Sequence, residues 1–135
     1  MRTTHETRYI GVSIDRPPKE VYAFAAVPEN LPKWATGLGG SIKRIDGNWV
    51  VDSPLGTVRV RFAEANTLGV LDHDVIFESG EVVHNPIRVV PNGEGSEVIF
   101  ILFRRPGMTD EKFAEDAAWV RKDLHMLKGL LESQG

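Results

Sequence analysis

The chain has 135 residues, 41% of them hydrophobic and 26% charged, a composition that closes one core, so a single domain over residues 1–135 is expected. A net charge of −3, with Lys and Arg scattered along the sequence, offers no electrostatic footprint for a phosphate backbone, and nucleic acid is not an expected partner. The absence of cysteine excludes disulfides and thiolate chemistry, while the lack of a signal-peptide core or a bilayer-length apolar run predicts a cytoplasmic protein without membrane insertion.

Near the N-terminus Ile10, Val12 and Ile14 alternate with Tyr9, Gly11 and Ser13, the period-2 pattern of a strand. Pro17 and Pro18 permit a helix start, Val21, Phe24 and Ala25 follow at helical spacing, and Pro28 stops the run. A second short helix is expected over Glu29 to Trp34, closed by the glycine-rich TGLGGS at 36–41.

From Ser41 to Arg104, turn residues recur at regular intervals between short apolar segments, as in an antiparallel meander. Strands are expected near Ser41–Ile45, Asn48–Ser53, Thr57–Ala63, Leu71–Phe77, Glu81–Val90 and Ser96–Arg104. Beyond Pro106 and Gly107, Thr109 can cap a helix, and Phe113, Ala117, Val120, Leu124, Leu127 and Leu131 form one stripe along about six turns. That stripe needs a broad apolar partner. The order predicts an α+β helix-grip fold: a seven-stranded curved antiparallel sheet wrapped around the long C-terminal helix, with two short helices after the first strand.

Residues 70–78 read VLDHDVIFE, which places Asp72, His73 and Asp74 in strand-like surroundings. If Glu78-Ser79-Gly80 is a three-residue loop, Gly80 takes its left-handed position, and His73 pairs with Asn85, Val75 with Val83, and Asp74 with His84. One face then carries His73, Val75, Phe77 and Asn85, an apolar wall with two polar members. Asp72, Asp74 and His84 point the other way, and their spacing lacks the arrangement of a preformed metal site, so neither a metal nor another cofactor is expected.

Trp34, Trp49 and Trp119 read first as packing residues. In a helix-grip protein, positions flanking the helical stripe can look into the cavity, which makes Trp119 and Trp49 the expected large apolar ligand contacts. The strand from Glu97 to Phe103 is apolar on both faces, and an uncovered second face would suit a homodimer. Arg59 and Arg61 alternate with Val58, Val60 and Phe62 and are expected outside. The glycines at 37–40 lack the lysine and hydroxyl of a phosphate loop and read as a loop at the cavity mouth.

The stretches SIDRPPKEVYAFAAVPENLPKWATG, GVLDHDVIF, NPIRVVPNGEGSEVIFILFRRPGMTDEKF and DLHMLKGLLE resemble the bacterial polyketide cyclase/dehydrase-like branch of the SRPBCC, or START-related, superfamily. The resemblance covers nearly the whole chain and implies the helix-grip fold. Its members include lipid and sterol carriers, plant hormone binders, aromatic polyketide cyclases, ubiquinone-binding proteins and chaperone activators. Two functions are therefore expected from different classes. In the first, a cavity between the sheet and the C-terminal helix binds a small hydrophobic or aromatic molecule oriented by His73 and Asn85. In the second, which the resemblance implies, His73 is the general acid/base of a cyclase or dehydratase. A protein-interaction module is a third.

Overall fold

The computed structural model describes residues 3–35, 41–53 and 56–133; the glycine loop at 37–40 and the centre of the 53–56 turn lie outside these. Strand β1, Thr7–Ile14, buries Ile10, Val12 and Ile14 and exposes Tyr9, Gly11 and Ser13, as its alternation predicts. Helix α1, Pro18–Ala25, starts from an extended Pro17 whose carbonyl accepts the N–H groups of Glu20 and Val21. A 3-10 turn at Pro28–Asn30 leads into α2, Leu31–Trp34, which buries both of its terminal residues. The Asn30 side-chain amide donates to the Phe24 carbonyl at 3.0 Å and ties the two helices together.

Strands β2 (Ile42–Ile45), β3 (Asn48–Ser53), β4 (Gly56–Phe62), β5 (His73–Ile76) and β6 (Val82–Asn85) form a five-stranded antiparallel sheet in sequence order. Strands β7 (Ile87–Asn92) and β8 (Gly95–Phe103) join β1 in a second sheet of order β1-β8-β7. The expected single seven-stranded sheet is therefore two sheets, of five and three strands. The break falls at Pro86, which interrupts the expected Glu81–Val90 strand because proline brings no N–H to a ladder. The Pro86 carbonyl still accepts from Ile101 N–H at 3.0 Å.

Residues before β5 span the break. Leu71 N–H donates to Ile87 O at 2.8 Å and Val89 N–H donates to Gly69 O at 2.9 Å, so this segment pairs with β7 before β5 pairs with β6. Gly69 has φ +75°, and a Cβ there would run into the Val89 carbonyl. Only glycine permits both the left-handed turn and the close approach.

Helix α3, Asp110–Glu132, is capped by Thr109, whose hydroxyl oxygen accepts from Lys112 N–H at 3.1 Å. It lies against β1, β8 and α2 and buries Phe113, Ala117, Leu124, Leu127 and Leu131, with Val120 half-buried. Each large apolar side chain buried there contributes about 1.5–3 kcal/mol, which makes this face the main anchor of the fold. Polar bonds hold the far end: Arg16 Nε donates to Leu131 O at 3.1 Å and Lys128 Nζ to Ser13 O at 2.7 Å. No helix among the described residues is long and apolar enough to cross a membrane.

Candidate functional site

The β5–β6 hairpin has the geometry its turn residues dictate. Gly80 sits at φ +92°, Gly80 N–H donates to Phe77 O, and Phe77 N–H donates to Glu81 O, both at 2.9 Å. The register follows: His73 faces Asn85, Asp74 faces His84, and Val75 faces Val83. Val75 is buried, while Phe77, Val83 and Asn85 on the same inner face are half-buried.

His73 is 7% exposed, with the Phe62 ring 6.1 Å from its own. Its Nδ1 lies 3.4 Å from the Leu71 carbonyl, which can only accept, and the Asn85 amide nitrogen lies 3.4 Å from its Nε2. These partners assign the proton to Nδ1 and leave Nε2 as an acceptor from Asn85. Burial lowers the His73 pKa below the ordinary 6.5, outweighing the Leu71 carbonyl and the charges of Asp74 and Asp72, which favour the imidazolium. The ring is therefore neutral at pH 7, and it holds one amide N–H of Asn85.

The two acids beside His73 are occupied on the outer side. The Asp72 carboxylate accepts from Arg88 Nε at 3.0 Å, from Arg88 Nη2 at 2.8 Å and from the backbone N–H of Ile87 at 3.0 Å. The Arg88 bonds hold its pKa below the usual 3.8 against the opposing effect of partial burial. Asp74 accepts from Arg61 at 2.7 Å and from His84 Nδ1 at 2.5 Å. Burial raises its pKa, but these bonds outweigh it and the net shift is downward. The sequence triplet is thus two paired surface acids flanking one buried neutral histidine.

The tryptophans part company. Trp49 on β3 is half-buried on the inner face opposite Val60, with the Arg44 guanidinium 5.6 Å from its ring centre. It borders an open groove of about 260 Å³ at the end of β3, shared with Arg59, Arg61 and Phe62. Trp119, expected to look into the cavity, instead is 41% exposed with Lys122 Nζ 4.5 Å over its ring. At 3.6 residues per turn it lies about 120° around α3 from the centre of the apolar stripe, too far to reach the sheet.

A small cavity of about 20 Å³ adjoins His73, lined by Tyr22, Leu31, Trp34, Phe62 and Leu71 among others. Its walls come from α1, α2, β4 and the approach to β5; no α3 residue lines it. This cavity therefore lies away from the interface between the sheet and the C-terminal helix, where a ligand cavity is expected from the sequence; α3 itself packs on β1 and β8. Trp34, read from the sequence only as a packing residue, reaches it, and so does Tyr22, which no sequence signal singled out. Above it, Asn66 organises the loop: its side-chain oxygen accepts from Leu68 and Val70 N–H, both at 3.0 Å, and its own N–H donates to the Tyr22 hydroxyl at 3.0 Å. On the outer face of the three-stranded sheet Tyr9 is 74% exposed and Ile99, Ile101 and Phe103 are half-buried.

No family model matches the sequence, and no curated protein matches it. Among solved structures the chain is similar to Ara h 8.0201, at 17% identity over 95% of this chain and 98% of that one, with a TM-score of 0.73. It is also similar to XoxI from Bacillus cereus, at 18% identity over 96% of each chain and a TM-score of 0.70. A third likeness is to DynU16, a protein of the dynemicin biosynthetic locus, at 18% identity and a TM-score of 0.70, where this chain covers 48% of the longer partner. What these chains share is the fold: antiparallel sheet packed with a long C-terminal helix.

Proposed function

We propose that the protein binds a small hydrophobic or aromatic molecule against the inner face of the five-stranded sheet, with Asn85 as its polar contact and His73 as the group that positions Asn85. The observation that carries this reading is one polar pair, a buried His73 and a half-buried Asn85, in a wall that is otherwise apolar and incompletely covered. His73 and Asn85 meet at 3.4 Å beside Val75, while Phe77, Val83 and Trp49 stay half-buried although they face inward. Large apolar side chains left partly open around one polar spot are what a ligand wall needs: area for binding and one bond for orientation. The fold supports the reading too, since carriers and cyclases share it in the superfamily the sequence resembles.

A catalytic role for His73 is less well supported. A general acid/base has to take up and return a proton near pH 7, whereas this ring is buried, has its pKa lowered, and has both nitrogens engaged. Orientation needs none of that.

Native mass spectrometry of the purified full chain tests the proposal. A small apolar molecule is expected to travel with the wild type and to be lost or weakened about tenfold in His73→Phe, with the fold intact. Equal retention by both proteins would sink it.

A further inference from the structure

We propose that the small cavity between α1, α2 and the approach to β5 is a recognition subsite for a neutral hydrogen-bond acceptor, the carbonyl oxygen of a bound molecule. This rests on the ligand-binding reading above and specifies the chemistry at one end of that ligand.

Trp34 lines the cavity and is 4% exposed, and its Nε1–H has no hydrogen-bond partner among the described residues. An indole N–H can only donate, and a donor left dry inside a protein calls for an occupant in the space beside it. The other polar groups around that space cannot serve. His73 donates through Nδ1 to Leu71 O and receives Asn85 at Nε2. The Asp72 carboxylate is taken by Arg88 and the Ile87 N–H. The Tyr22 hydroxyl accepts from Asn66 N–H and keeps its own proton to donate.

Among the described side chains of the lining, the uncommitted hydrogens are those of the Trp34 indole and the Tyr22 hydroxyl, so an occupant that meets them accepts. It must also be neutral. No Lys or Arg is among the described residues that line the cavity, and Arg88 is committed to the Asp72 carboxylate, so a carboxylate entering here would meet no cation to offset its desolvation. Size limits the occupant further. A space of about 20 Å³ exceeds the roughly 10–15 Å³ a single water needs but is far below the roughly 300 Å³ of a whole-ligand pocket. It admits one functional group. The body of the molecule would then rest on Phe62 and Leu71, both half-buried at the cavity wall.

The test uses the full chain labelled with nitrogen-15 and two probes of one shape, cyclopentanone and methylenecyclopentane, which differ by the acceptor oxygen. The Trp34 indole signal is identified as the one missing from Trp34→Phe, or by elimination from Trp49→Phe and Trp119→Phe if that variant does not fold. Cyclopentanone is expected to shift the Trp34 indole proton saturably, leaving the Trp49 and Trp119 signals in place, while methylenecyclopentane leaves Trp34 unmoved. Equal shifts with both probes, no shift with cyclopentanone, or a long-lived water at the Trp34 proton that the ketone does not displace would each overturn the subsite. If His73→Phe releases a co-purifying molecule that Trp34→Phe retains, the ligand-binding reading stands and this one falls.

Discussion

Asn85 lies directly across the hairpin from His73, its amide nitrogen 3.4 Å from Nε2, and that alignment is set five residues upstream by Gly80 at φ +92°. A different turn would slip the strands by one residue and send either His73 or Asn85 to the solvent side. Gly80→Ala meets no steric neighbour within 4 Å, so its cost is backbone strain alone. A stability loss of about 1–2 kcal/mol is expected from urea unfolding, because a Cβ disfavours the left-handed conformation. An unchanged midpoint would mean that the turn can be made another way.

The neutral His73 predicts a specific acid sensitivity. Its folded pKa lies below the ordinary 6.5, so as pH falls through about 6.5 the unfolded chain takes a proton that the folded chain refuses. Stability should decline over that window and level off only below the folded pKa. Thermal melts of the wild type and His73→Phe between pH 7.5 and roughly 5 should converge as pH falls, the variant losing less. Parallel curves would show that His73 is protonated as readily in the folded protein as in the unfolded one.

Asp72 gives an effect at lower pH. Its carboxyl, held down by Arg88, contributes stability above the usual 3.8 that is lost as pH falls through its depressed folded value. Asp72→Asn should flatten this acid limb. It should also speed amide exchange at Ile87, whose N–H the carboxylate accepts at 3.0 Å. Unaltered exchange there would show that the bond carries no protection.

Helix α3 offers a contrast between two apolar residues. Leu127 is fully buried, and Leu127→Ala should cost about 2–5 kcal/mol by denaturation. Trp119 is 41% exposed, and Trp119→Ala should change stability by no more than about 0.5 kcal/mol and leave ligand retention intact. Loss of the ligand in Trp119→Ala would restore that residue to the binding surface.

What could be read from the sequence depended on the range of the interaction. The hairpin register was accessible because Gly80 and the alternation of His73, Val75 and Phe77 act over a few residues, and the α3 stripe was accessible because its period is internal to one helix. The split at Pro86 was harder to see, since the residues on either side alternate without interruption and only the missing N–H divides them. Trp119 illustrates another limit: flanking a stripe does not tell which flank turns toward the sheet. The cavity at Trp34 was out of reach altogether, because it forms where α1 and α2 fold over a loop some forty residues away, held by the Asn66 to Tyr22 bond.

The packing of α3 on the β1-β8-β7 sheet has an evolutionary corollary. Phe113, Leu124 and Leu127 anchor the helix to one sheet, while Phe77, Val83 and Asn85 line the other. Half-buried positions of the second kind tolerate exchange more readily than a closed core does. The wall can therefore exchange side chains while the anchor keeps the architecture, which is one way chains with under a fifth of their residues in common can have the same fold.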